Sequence, residues 1–159
     1  GHSDEFIAFI EKELQPFIEN KYKTNTSKTI IGQSFGGLLA TEILFNKPTL
    51  FNKYIIVSPS LWWNNGSLLN QNSKIFQDTF NQPTDIYIGV GKEGLTPTVI
   101  PRVMEVDANV LAEKIKGSKS KSINVYFDYL PQETHATILH QAVSNSFRLI
   151  YSPIPKAGH

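Results

Sequence analysis

The sequence predicts an α/β protein of three layers, α/β/α, with helices on both faces of a mostly parallel sheet. Two observations predict it. Short apolar runs of strand character alternate along the chain with segments of helical periodicity, the pattern of crossovers between parallel strands. A glycine-rich turn, Gly32 to Gly37, also stands directly between a β-branched run and a helical one. The length of 159 residues fits one domain able to bury a real core. No repeat, low-complexity tract or linker divides it. Residues 1–151 therefore read as one domain, and 152–159, with two prolines, as a tail.

Ser3 reads as a helix N-cap, followed by Asp4 and Glu5, where the helix dipole favours acids. Phe6, Ile10, Leu14, Phe17 and Ile18 recur at helical spacing, giving an amphipathic helix from about Asp4 to Tyr22 that Pro16 should kink or interrupt after Gln15. Lys28 to Gly32 is a short strand; its consecutive Ile30 and Ile31 suit burial on both faces. Leu38 to Phe45 is helical and stops at Pro48. Tyr54 to Ser58 is the second strand, followed by the aromatic loop Pro59-Ser60-Leu61-Trp62-Trp63. Asp85 to Val90 is the third strand, Val103 to Lys116 a crossover helix, Ile123 to Leu130 the fourth strand, and Ile138 to Tyr151 a closing helix.

Composition removes several functions. Fifteen basic residues against fourteen acidic ones leave a net charge of +1, without the electrostatic footprint of a nucleic-acid binder. The densest basic stretch, Lys116 to Lys121, is broken by Gly and Ser and reads as a solvated turn. Cysteine is absent, which excludes disulfides, thiol nucleophiles and Cys-based metal sites. No apolar run approaches the ~20 residues that span a bilayer.

The sharpest chemical signal is Gly32-Gln33-Ser34-Phe35-Gly36-Gly37. In a G-x-S-x-G elbow the Ser backbone is held in a strained turn, so its hydroxyl stands clear of the sheet. The residues two before and two after approach closely, and glycine suits both places. A helix opening at Phe35 would aim its positive end at the hydroxyl, and the Phe35 N–H would be one oxyanion donor. A Gly-rich turn can carry this string by chance; the strand–turn–helix context favours a nucleophile.

A serine nucleophile needs a base, and His can shuttle its proton near neutral pH. In hydrolases with this elbow the acid and then the His follow in the chain. His135, just beyond the fourth strand, fits that order. His140 lies on the next helix and reads as a surface or packing residue, and His2 and His159 are terminal. For the acid, Glu93 directly follows the third strand, and Asp107 is the alternative if a long loop returns it. A Ser–His dyad oriented by a backbone carbonyl is a third arrangement. Gln33, Trp62 and Trp63 are the candidate substrate-binding residues. The string Gly89-Val90-Gly91-Lys92-Glu93-Gly94 resembles a dinucleotide fingerprint, but Pro97 and Pro101 follow it where a helix should open. His135 and His140 are five apart, off the spacing of helical zinc ligands. No metal and no cofactor are expected.

With these residues in hand the chain resembles an esterase family of the α/β-hydrolases, the group of esterase D-like and siderophore (enterobactin-type) esterases. The resemblance runs from Phe6 to about Tyr151. It rests on Glu13-Leu14-Gln15-Pro16-Phe17-Ile18 ahead of the nucleophile strand, the elbow Gly32 to Gly37, Ser58-Pro59-Ser60-Leu61-Trp62-Trp63 and Glu133-Thr134-His135. It implies Ser34 as nucleophile and His135 as base, while the acid varies within the group. It also implies an α/β-hydrolase fold lacking its N-terminal strands, one of whose loops would supply the second oxyanion N–H. The expectation is a C-terminal portion of a longer esterase, in which the strand Lys28 to Gly32 is an edge covered by a missing N-terminal segment or by a second copy in a homodimer.

Two functions compete. The first is a serine carboxylic-ester hydrolase acting on a siderophore lactone, an acyl or feruloyl sugar ester, or a thioester. The second is an inactive domain of the same fold that uses Trp62 and Trp63 to hold a ligand or partner.

Overall fold

The computed structural model describes residues 2–151; the tail expected beyond Tyr151 lies outside them. Four strands form one sheet in the order β1-β2-β3-β4: β1 (Thr29–Gln33), β2 (Lys53–Val57), β3 (Thr84–Gly91) and β4 (Ile123–Leu130). Every neighbouring pair is parallel. Helices α1 (Ser3–Phe9), α2 (Gln15–Lys21), α3 (Phe35–Asn46), the single turn α4 (Trp63–Gly66), α5 (Met104–Lys116) and α6 (Ile138–Ile150) supply the connections and layers. Parallel strands need such crossovers, and the α/β expectation holds.

The two cores follow from strand alternation. Tyr54, Ile56, Ile86, Ile88 and Val90 point to the face covered by α3 and α5, where Ile43, Leu44, Leu111 and Ile115 meet them. Ile55, Val57 and Tyr87 point to the other face and pack on Ile138 and Ala142 of α6. β1 differs from its expectation of burial on both faces. Ile30 packs against the α3 side, but Ile31 is 45% exposed. The reason is coverage: α6 packs on β2, β3 and β4, so the corresponding face of the edge strand β1 lies open.

Three local expectations change. Ser3 does not cap the first helix: its hydroxyl donates to Glu42 Oε1 at 3.0 Å, and His2 occupies the cap position. Pro16 does not break the helix. A π-helical stretch, Ile10–Leu14, precedes it, with the Gln15 N–H bonded to the Ile10 carbonyl. That widened turn places Pro16 at the start of α2, where a missing N–H is tolerated. Strand ends shift by one residue, so that β1 extends through Gln33 and β3 through Gly91.

The register places the site. Gln33 of β1 lies level with Val57 of β2, and Val57 with Gly89 of β3. Ser34, Ser58 and the segment 91–94 therefore leave the sheet along one carboxyl-terminal rim, where ligands of open parallel sheets bind.

Candidate active site

Ser34 has φ +57, ψ −119, a conformation that strains any residue with a Cβ. Its N–H donates to the Val57 carbonyl at 3.0 Å, and its carbonyl accepts the Leu38 N–H at 2.9 Å as α3 begins. The turn closes only because position 32 lacks a side chain: a Cβ there would lie 2.1 Å from the Gly36 carbonyl oxygen. A Cβ on Gly36 would meet nothing within 4 Å, so the steric demand falls on Gly32 and not equally on both glycines. Position 37 is tight as well: a Cβ there would lie 3.0 Å from the Pro59 Cα, and its absence lets the Ser58-Pro59-Ser60 turn close onto α3.

His135 Nδ1 lies 2.6 Å from Glu93 Oε2. Glu93 Oε1 accepts the Gly91 N–H at 3.2 Å and the hydroxyl of Ser58. The Glu93 side chain is only 4% exposed, whereas the His135 side chain is 46% exposed and open to an incoming molecule. Gly91 makes the approach possible: a Cβ there would sit 2.6 Å from the Glu133 carbonyl oxygen, which accepts the Lys92 N–H at 2.8 Å. Glu105, in the first turn of α5, holds the segment from the other side. Its Oε1 accepts the Glu93 N–H at 2.8 Å and the Gly94 N–H at 3.0 Å. Burial acts to raise the Glu105 carboxyl pKa, but the backbone N–H groups of Glu105, Glu93 and Gly94 outweigh it and hold it below its ordinary value.

The residues singled out in the sequence divide as follows. Glu93 is the carboxylate brought to His135. Asp107 is turned elsewhere: its oxygens take Arg102 Nε at 2.8 Å and Nη2 at 2.7 Å, a bidentate pair lying against Gly66. Gln33 ties the elbow to the His loop, donating from Nε2 to the His135 carbonyl at 2.5 Å. Ser34 Oγ is hydrogen-bonded to Ser60 Oγ at 3.2 Å and not to His135, a looseness common before substrate is bound. His140 is exposed on α6. Phe35 packs edge-on against Trp62 and Trp63, with centroids 5.8 and 5.3 Å away. Both tryptophans line an open cavity of about 570 Å³ whose other wall is Thr98, Val99 and Ile100. Ser58 and Ser60 were not singled out. Their signal was available: they directly follow β2, the neighbour of the nucleophile strand in a parallel sheet. Among the described residues no group of three or more His, Cys, Asp or Glu side chains could hold a metal ion, and no helix is long and apolar enough to cross a membrane.

A parallel sheet with helices on both faces and a serine elbow after one strand defines the α/β-hydrolase type. The chain belongs to the esterase family: the family model described as "Putative esterase" matches residues 1–128. It is 32% identical over 156 residues to the ferri-bacillibactin esterase BesA of Bacillus subtilis, covering 96% of this chain and 53% of that one. Among solved structures it is similar to the BES protein of Bacillus cereus, with 33% identity, a TM-score of 0.81, and 94% of this chain and 56% of the other covered. It also resembles an IroE-like serine hydrolase of Shewanella oneidensis at 26% identity and TM-score 0.75, covering 95% and 48%. The chain thus spans about half the length of these relatives.

Proposed function

We propose that this chain carries the catalytic residues of a serine carboxylic-ester hydrolase working through an acyl-enzyme. The observation that carries the reading is the buried Glu93 carboxylate on His135 Nδ1, set on the same rim as the strained Ser34 elbow. Glu93 holds the imidazole with Nδ1 protonated, leaving Nε2 free to accept a proton. On binding, the Ser34 hydroxyl turns from Ser60 towards Nε2 and attacks the ester carbonyl carbon as its proton passes to His135. The Phe35 N–H, in the first turn of α3 where the helix itself supplies no acceptor, donates to the oxyanion. Collapse breaks the C–O bond, and the leaving alcohol takes the proton from His135. Water, deprotonated by the same imidazole, then cleaves the acyl-Ser34 ester and releases the carboxylic acid.

Two features support an aromatic siderophore lactone over a feruloyl sugar ester or a small thioester as substrate. BesA is named as a ferri-bacillibactin esterase, which favours the lactone over both alternatives, and the Trp62–Trp63 cavity, joined to the elbow through Phe35, offers apolar, aromatic walls that favour an aromatic ester over a small thioester. The test is a panel of the three ester classes given to the full-length protein and its Ser34→Ala form. The lactone should be cleaved best, and Ser34→Ala should be inactive on all three while keeping its fold. Preference for a small thioester would remove the substrate assignment, and Ser34→Ala activity within about tenfold of the parent would move the nucleophile elsewhere.

A further inference from the structure

Among the described residues, Ser58 is the buried non-glycine residue of positive φ that the reaction scheme above does not use. Its φ is +42, a conformation that strains a residue carrying a Cβ and not glycine. Its backbone N–H donates to the Gly89 carbonyl at 2.8 Å, a bond that glycine would make equally well. What serine adds over glycine at this place is Oγ, and Oγ donates to Glu93 Oε1.

We propose that Ser58 is a positioning residue that orients the acid of the triad, and the proposal rests on the reading of Glu93 as that acid. The terminal torsion of a glutamate is broad and close to two-fold, so packing alone does not determine which way the carboxylate faces. In this site the orientation is set by donors. Oε1 takes the Ser58 hydroxyl and the Gly91 N–H, and this turns Oε2 onto His135 Nδ1 at 2.6 Å. Ser58 can do this because β2 lies between β1 and β3, so its end points midway between the nucleophile and the acid. Two residues on, Ser60 reaches the nucleophile itself, with its N–H on the Ser34 carbonyl at 3.0 Å. Removing the Ser58 hydroxyl leaves the carboxylate with one donor fewer and frees it to swing off the imidazole.

The test uses Ser58→Gly and Ser58→Ala in the full-length protein. Glycine removes the hydroxyl and relieves the positive φ; alanine removes the hydroxyl and keeps the strain, so the pair separates the two effects. In both variants kcat should fall about tenfold to a hundredfold, the scale on which a slightly misplaced group slows a reaction. KM should stay within about twofold, and Ser58→Gly should melt no lower than the parent. In a Glu93→Gln background, Ser58→Gly should cost no more than about a further twofold, because the two residues act as a unit. The proton NMR signal of the His135 Nδ1–H, downfield in the parent, should move or broaden in both Ser58 variants. Unchanged kcat and an unmoved signal in Ser58→Gly, with Glu93→Gln impaired, would overturn the role of Ser58 alone. Losses that simply multiply in the double variant would also overturn it. An unimpaired Glu93→Gln would overturn the triad reading and this inference together.

Discussion

Replacing Glu93 by glutamine changes one atom and no volume, so it isolates what the carboxylate does. The native group accepts three hydrogen bonds: Ser58 Oγ and Gly91 N on Oε1, and His135 Nδ1 on Oε2. An amide has only one oxygen. The Ser58 hydroxyl can turn to accept, but the Gly91 N–H cannot, and facing it with an amide NH₂ would set donor against donor at a cost of about 1–3 kcal/mol. The oxygen of Glu93→Gln therefore stays at the Oε1 position and its NH₂ faces the imidazole. His135 must then accept at Nδ1 and carry its proton on Nε2, the nitrogen that should receive the Ser34 proton. A triad with this tautomer reversed loses about 10³–10⁴ in kcat, or about 4–5.5 kcal/mol of transition-state stabilisation. Glu93→Gln should show that loss with an activated aryl ester and a far smaller change in KM. Asp107→Asn, which weakens only the Arg102 pair, should keep kcat within about threefold and lower stability by about 1–3 kcal/mol. A Glu93→Gln enzyme within about tenfold of the parent would refute the argument and leave a Ser–His dyad.

Gly32→Ala should unfold the elbow, since its Cβ must displace the Gly36 carbonyl from 2.1 Å; thermal denaturation should show a loss of at least about 2 kcal/mol, whereas Gly36→Ala, with open space at that position, should stay within about 1 kcal/mol. The Glu105 carboxyl has its pKa lowered from 4.5 in the folded state, so the stability it contributes is present above pH 4.5 and lost as pH falls through the folded value. Acid denaturation of Glu105→Gln should accordingly lose the part of the pH dependence below 4.5 that the parent shows, and an unchanged profile would contradict the role of Glu105 in holding the 93–94 backbone. β1 is an edge strand of the sheet among the described residues and its Ile31 is 45% exposed, which should make the isolated 159-residue chain associate; light scattering should give a mass above 17.9 kDa, and a stable monomer would contradict this.

Much of the fold was legible because β-branched and aromatic residues concentrate in the strands, and helices such as α5 and α6 carry apolar residues at helical spacing. Boundaries were off by a residue where the polar Gln33 and Thr84 continue the ladder without contributing apolar pattern, and where Lys28 falls just outside it. Ser34 and His135 stood out because a parallel sheet gathers its strand ends, so position in the chain already implies proximity. The choice between Glu93 and Asp107 was not legible in the same way. It depends on Arg102, five residues before Asp107, capturing that carboxylate in a bidentate pair. Ser3 has the composition of a cap, but Glu42, 39 residues away, takes its hydroxyl. Pro16 reads as a helix breaker in any local view; the π-helical turn ahead of it is a register change with no compositional sign. Ser58 and Ser60 carry no periodicity; their place after β2 is the one sign of them in the sequence, and their particular partners are set by contacts made across the sheet.

The central claim is that Ser34 is the activated nucleophile, and the most direct measurement is covalent capture. The full-length protein is treated with a fluorophosphonate at neutral pH, digested, and mapped by mass spectrometry. One phosphonyl adduct should form, on the peptide containing Ser34, and it should be absent from Ser34→Ala and greatly slowed in Glu93→Gln. An adduct on a different serine, or a folded protein that cleaves esters while Ser34 stays unlabelled, would contradict the account.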